Sequence, residues 1–172
     1  MTVTLAVAHG TVSVAAGTGV TLIGNGTNSV QLSGTLAAIN TLLATANAVT
    51  YTPTANYNGS DTLTMTTNDG GNTGGTALTA TSTVALTVTA VNDAPVLATG
   101  STLAYTENQA ATAINTAITV ADVDNATLAS ATVSITGGFV TGQDVLSFTN
   151  VSMGNISGSY NATTGVMTLT ST

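Results

Sequence analysis

The stretch TVTLAVA, residues Thr2–Ala8, decides the fold, because Val3, Leu5 and Val7 alternate with small or polar residues. A period of two is the spacing of a half-buried antiparallel strand. Thr, which is β-branched and polar, fills many of the outward positions. Further strands are predicted at Thr11–Ala15, at Val30 and Leu32, at Asp61–Thr67 and at Thr83–Ala90, with His9-Gly10 as a hairpin turn between the first two strands.

One segment departs from this period. Gly34–Ala46 (GTLAAINTLLATA) is rich in Ala and Leu and places Leu36, Ile39, Leu42 and Leu43 at helical spacing. Thr35 precedes the run and suits the N-cap position. We therefore predict one short helix near residues 35–45, bridging two strands.

The second half of the chain returns to the strand pattern after Asn92-Asp93-Ala94-Pro95, a short linker stiffened by proline. The chain is therefore predicted to be all-β, with two β-sandwich units in tandem at residues 1–91 and 92–172. Asn161–Gly165 is predicted to be a hairpin turn. The predicted strands of the second unit are Thr102–Thr106, Ala113–Val120, Ala129–Thr136, Val145–Thr149, Ile156–Tyr160 and Val166–Thr170.

The composition excludes several classes of protein. The chain has no Lys, Arg or Cys, 39 Thr and a formal charge of −7, and only 4% of its residues are charged. Without basic side chains it cannot neutralise phosphates, so we expect no nucleic-acid binding. We also expect no membrane insertion, because there is no run of about 18 apolar residues. His9 is the only candidate general base, and no nucleophile motif accompanies it, so we do not expect an enzyme.

Three motifs together resemble a known family. They are VNDAP at Val91–Pro95, YNGSDTLT at Tyr57–Thr64 and DVDNATL at Asp122–Leu128. They are similar to the bacterial cadherin-like tandem repeats of very large surface and secreted proteins. The resemblance implies Ig-like or cadherin-like sandwiches, an extracellular location on the bacterial cell surface or in secreted form, calcium between repeats, and a role in adhesion or as a stalk.

The same resemblance implies a set of calcium ligands. Glu107, Asp122, Asp124 and the linker residues Asn92 and Asp93 match family positions, and Asp69 could cap the site from the preceding unit. Carboxylate and amide oxygens are the ligands that Ca²⁺ prefers. The alternative is that these residues form turns and strand caps, and we expect such structural roles for Asp61 and Asp144.

Each half of the chain resembles only part of a family repeat, so more than one assembly of the two units is possible. Residues 1–91 resemble the closing portion of one repeat and residues 92–172 the opening portion of the next, so each sandwich is expected to be incomplete. Neighbouring repeats of the same chain, or identical chains, are the expected partners. The preferred hypothesis is a calcium-stiffened stalk or spacer in cell adhesion or a biofilm matrix. The alternatives are a filament built by strand complementation and a carbohydrate- or protein-binding module.

Overall fold

The computed structural model describes residues 1–71, 74–98 and 100–171, and it confirms an all-β fold with one short helix. The elements of the described residues are β1 Thr2–Ala6, β2 Gly10–Val14, β3 Val20–Ile23, β4 Ser29–Gly34, α1 Leu36–Leu43, β5 Val49–Pro53, β6 Gly59–Asn68, β7 Thr79–Val88, β8 Val96–Ala98, β9 Thr119–Ala121, β10 Ser130–Ser134, β11 Ile156–Asn161 and β12 Val166–Ser171. None of the described helices is long and apolar enough to cross a membrane. The chain divides into two compact units, Met1–Asn92 and Asp93–Thr172.

The first unit is built on a five-stranded antiparallel sheet in the order β3-β4-β1-β6-β7. A second layer, formed by β2 paired with β5 and by α1, packs on one face of it. The alternating side chains predicted from sequence fill the space between the layers. The buried core of the first unit consists of Val3, Leu5, Val7, Val12, Val14, Val30, Leu32, Ile39, Leu42 and Ala48.

The predicted helix is confirmed. It spans Leu36–Leu43, and the Thr35 side chain accepts a hydrogen bond from the Ala38 N–H at 3.1 Å, which makes Thr35 the N-cap. Ile39 and Leu42 are the buried residues of the helix, as expected for an amphipathic helix that covers a sheet.

The predicted hairpin at His9-Gly10 is wrong. β1 pairs with β4 and β6, whereas β2 pairs with β5, so the chain crosses between the two layers at residues 7–9. Local alternation gives the same pattern for a corner and for a hairpin. Three further strands, β3, β5 and β8, lie where no strand was predicted.

The second unit contains a three-stranded antiparallel sheet, β10-β12-β11, and the small pair β8-β9. The predicted hairpin at Asn161–Gly165 is confirmed, because the Gly165 N–H donates to the Asn161 carbonyl at 2.9 Å between β11 and β12. In the described part of this unit, Met167 is the one buried hydrophobic side chain.

Three predicted strands of the second unit are wrong in whole or in part. Thr102–Thr106 and Val145–Thr149 are not strands, and only Thr119–Ala121 pairs within and just beyond the predicted Ala113–Val120. The apolar side chains of these segments, such as Ile114 and Val145, are 52% and 68% exposed. Leu146 and Phe148 are half-buried, but no residue of these three predicted strands is fully buried, and alternation without a fully covered face does not produce a strand. The Ig-like or cadherin-like identity of both units stays a prediction.

Candidate functional site

The linker residue Asp93 lies against the Asp122–Asn125 loop of its own unit. The Asp93 N–H donates a hydrogen bond to Oδ2 of Asp124. These are two of the residues that the resemblance assigns to a calcium site. The structure therefore brings together a linker position and the Asp-x-Asp loop, which lie 31 residues apart in sequence.

The Asp122 carboxylate organises the same loop from within. Its Oδ1 accepts the N–H groups of Asn125 at 2.7 Å and Asp124 at 2.9 Å, and the Asn125 side-chain amide at 3.3 Å. These hydrogen bonds, that from the Asn125 N–H first, lower the pKa of Asp122 below its ordinary value. Asp122 thus has the turn-forming role that was the alternative to metal binding.

Asp69, in the first unit, closes the loop between β6 and β7. Its Oδ1 accepts the N–H groups of Leu78 and Gly71, both at 2.9 Å, and these bonds lower the pKa of Asp69. The sequence DGGNTGG at residues 69–75 is typical of a turn, and two of its residues, Asn72 and Thr73, lie outside the described residues.

The other two predicted ligands are Asn92 and Glu107. Asn92 is the last residue of the first unit. Glu107 lies exposed in a turn of the second unit, in which the Gln109 N–H donates to the Thr106 carbonyl at 3.0 Å. The Gln109 side chain accepts the Thr106 N–H at 3.2 Å and ties the turn together.

The fit of these residues to calcium is partial. Their oxygen chemistry suits a hard cation, which takes six to eight oxygen ligands. However, among the residues that the structure describes, no three His, Asp or Glu side chains form a group that could hold a metal ion. A site at the Asp93–Asp124 contact would therefore depend on amide and carbonyl oxygens and on water for most of its ligands.

A second cluster surrounds Asp61, which is 5% exposed and is the only buried acidic side chain among the described residues. Its Oδ1 accepts the N–H groups of Thr62 at 2.7 Å and Ala8 at 3.1 Å. Its Oδ2 accepts the His9 N–H at 2.9 Å and the Tyr51 hydroxyl at 3.0 Å. This one carboxylate joins β6, β5 and the corner between β1 and β2.

The electrostatics of Asp61 follow from these contacts. Burial alone raises its pKa, but the hydrogen bonds from His9, Thr62, Ala8 and Tyr51 outweigh burial and lower the pKa to about 2. Burial and the Asp61 carboxylate together raise the pKa of Tyr51. The carboxylate is therefore a permanently ionised acceptor near neutral pH, which agrees with the structural role predicted for it.

His9 contributes its backbone and its ring to this corner. The ring stacks on Tyr57 with centroids 4.2 Å apart and planes 7° from parallel, and the Tyr57 hydroxyl donates to the Ser60 carbonyl at 2.6 Å. The sequence did not predict this stack, because the two residues lie 48 positions apart and no local pattern links them.

Asp144 likewise acts on the backbone. Its Oδ2 accepts the Val140 N–H at 2.7 Å, and its carbonyl accepts the Tyr160 hydroxyl at 2.7 Å. These contacts agree with the turn role predicted for it. Among the residues that the structure describes, backbone N–H groups thus donate to the side chains of Asp61, Asp69, Asp122, Asp124 and Asp144.

Comparisons with known proteins found no match for this chain among family models, curated proteins or solved structures.

Proposed function

We propose that the chain is a non-catalytic structural segment of an extracellular protein. In this proposal it is a spacer or stalk of an adhesin or matrix component, on the bacterial cell surface or secreted. The observation that carries the proposal is the path of the chain through the first unit. β1 and β7 both pair antiparallel with β6, so the strands that begin and end the unit run in the same direction.

The pairing register determines how tension applied at the ends of the first unit acts on its strands. Thr2 pairs with Asn68 at one end of β6, and Val88 pairs with Gly59 at the other. Because a strand rises about 3.3 Å per residue, the two attachment points lie about 30 Å apart along the strand direction. Tension applied through the ends of the unit therefore pulls the strands along their length. The interstrand hydrogen bonds are perpendicular to the strands, so they share this load and must break together.

The acidic side chains support the same proposal. A general acid or base needs a pKa near the working pH and access to a substrate. Asp61, Asp69 and Asp122 instead have lowered pKa values because they hold backbone N–H groups. Their chemistry stabilises loops and corners, as a load-bearing domain requires.

Force measurement on single molecules tests the proposal directly. The sequence has no Cys, so one introduced thiol gives a unique attachment point. Attachment through Met1 and Ala90→Cys loads the sheet in shear, whereas attachment through Met1 and Asn68→Cys loads paired residues at one end and peels them apart one pair at a time. We expect a clearly higher unfolding force in the first geometry. Equal forces would contradict a load-bearing role for this sheet.

Calcium belongs to the proposal as a ligand held near Asp93 and Asp124 of the second unit. What supports it is the contact between these residues, whose carboxylate oxygens suit a hard cation. Bound calcium would supply positive charge at the linker and restrict its motion. The partners in this proposal are neighbouring repeats of the same chain or identical chains.

A further inference from the structure

β7 is an edge strand without the protections that edge strands usually have. It spans ten residues, Thr79–Val88, at one end of the five-stranded sheet, and within the described part of the chain it pairs with β6 alone, in an unbroken register. Natural edges are shortened, charged, bulged or interrupted by Pro to prevent pairing with other chains. The β7 sequence TATSTVALTV has no charge and no Pro, and eight of its ten residues are exposed.

The hydrogen-bond alternation shows which backbone groups this edge offers. The Asp69 N–H donates to the Leu78 carbonyl at 3.2 Å, so the pair just before β7 is hydrogen-bonded. Bonded and non-bonded pairs alternate in an antiparallel ladder. Even-numbered residues of β7 therefore bond to β6, and odd-numbered residues direct their N–H and C=O groups outward. The outward residues are Thr79, Thr81, Thr83, Ala85 and Thr87.

The side chains of β7 also favour another strand beside it. Val84 lies opposite Leu63 of β6, on the face that points toward the core, yet it remains 56% exposed. Leu86 on the same face is half-buried. The second layer does not fully cover this side of the sheet. A strand paired along β7 would set its own same-face side chains against Val84 and Leu86.

Length and charge favour a second copy of this chain as the occupant. A ten-residue edge pairs in full only with an edge of similar length. The other edge of this sheet, β3, has four residues, and the edges β10 and β11 have five and six. Copies with a charge of −7 repel one another, but β7 and the residues that follow it as far as Asn92 carry no charge. A two-fold axis lets the same edge serve both partners.

We infer that two copies of the chain associate by antiparallel pairing of β7 with β7, which joins their five-stranded sheets into one sheet of ten strands. The dimer would serve the proposed structural role, and in this respect the inference rests on the proposed function. Its geometry depends on β7 alone, so an association measurement tests it separately from the unfolding force. An edge contact of this kind buries less surface than a standard interface, so the dimer is weak and reversible.

Sedimentation equilibrium of the full chain over a wide concentration range, with Thr83 variants, tests the pairing. Thr83→Glu places like charges across the new pair, and Thr83→Pro removes an outward N–H without breaking a β6–β7 bond. We expect a monomer–dimer equilibrium whose dissociation constant rises at least about fivefold in both variants. Thr62→Glu is the matched control, because Thr62 is an exposed residue one strand in from the edge, opposite Ala85, and should leave the constant unchanged.

Amide hydrogen exchange gives the residue-level readout. On raising the protein concentration, the amides of Thr81, Thr83 and Ala85 should gain protection, while those of Ser82 and Val84 are protected at every concentration. Three results would overturn the inference. They are a chain that stays monomeric at millimolar concentration, an association that Thr83→Glu leaves unchanged, and assemblies larger than a dimer.

Discussion

At Asp61 a single carboxylate fixes the point where the chain changes layers. It binds the N–H groups of Ala8 and His9 in the β1–β2 corner and the hydroxyl of Tyr51 in β5. The two backbone N–H groups lie at a corner, where neither sheet supplies an acceptor, whereas the Tyr51 hydroxyl also lies 3.1 Å from the His9 carbonyl oxygen. The position that looked like an ordinary strand start in the sequence is therefore the main polar tie of the first unit.

The contribution of Asp61 to the stability of the first unit should depend on pH in the acid range. The pKa of Asp61 is about 2 in the folded chain against 3.8 ordinarily. A lowered folded pKa means that Asp61 contributes its full stability above pH 3.8, and that this stability is lost as the pH falls through about 2. Asp61→Asn should therefore lower the thermal unfolding midpoint at neutral pH and flatten its dependence on pH in the acid range. Asp144→Asn, in the other unit, should leave the first unit's acid profile unchanged; an unaltered profile in Asp61→Asn would contradict the assignment.

Gly10 lies under the ring of Tyr51, where there is no room for a larger side chain. A Cβ at this position would lie 2.6 Å from a ring carbon and would also contact the Thr52 carbonyl. Gly10→Ala should push Tyr51 off Asp61 and lower the free energy of unfolding by about 1–3 kcal/mol, as overpacking does. Gly75 has open space around its Cβ position, so Gly75→Ala is the control. Equal denaturant midpoints for the two variants would show that Tyr51 does not depend on Gly10.

The stability of the helix α1 depends on its N-cap residue, Thr35. The Thr35 hydroxyl oxygen accepts the Ala38 N–H, one of the helix-initial donors that have no partner within the helix. Thr35→Ala should lower the free energy of unfolding, measured by chemical denaturation, by about 1 kcal/mol. Thr41→Ala, at an exposed position inside the helix, should be neutral or slightly stabilising, because Ala is the better helix former. A loss as large in Thr41→Ala as in Thr35→Ala would refute the capping role.

Local patterns predicted the elements better than their partners. The alternation at Thr2–Ala8 and the helical spacing at Gly34–Ala46 were enough to identify β1 and α1, because each pattern is set by one buried face. The corner at His9 could not be predicted, since it depends on Asp61, which lies 52 residues further along the chain. Likewise, Val145 alternates as a strand residue would, but no second layer covers it.

The candidate site was predictable only in part, for a similar reason. The Asp-x-Asp loop at residues 122–124 and the linker at Asp93 could be identified from their motifs, and the structure brings them together. Asp69 and Glu107 belong to local turns, and a turn uses the same residue types as a calcium loop. The stack of His9 on Tyr57 could not be predicted from the sequence, because it depends on the packing of two loops that are distant along the chain.

For the chain as a whole, we expect calcium to bind at the contact between Asp93 and Asp124 in the second unit. Calorimetric titration of the chain with CaCl₂ should give a dissociation constant in the range of extracellular modules, about 10⁻⁴–10⁻³ M. Asp124→Asn should weaken binding at least about tenfold, since it removes one of few carboxylates from a low-affinity site. Asp144→Asn, which alters an exposed turn elsewhere in the same unit, should bind as the parent chain does. If no heat of binding is measured at millimolar calcium, calcium is not a ligand of this chain.

The most direct measurement of the central claim is the ratio of unfolding forces for the two attachment geometries of the first unit. With handles at Met1 and Ala90→Cys, the ladders between β1, β6 and β7 are loaded along the strands; with handles at Met1 and Asn68→Cys, they open from one end. We expect a ratio well above one. A ratio of one, with both variants folded and equally stable in chemical denaturation, would contradict the role of this sheet as a tension-bearing element.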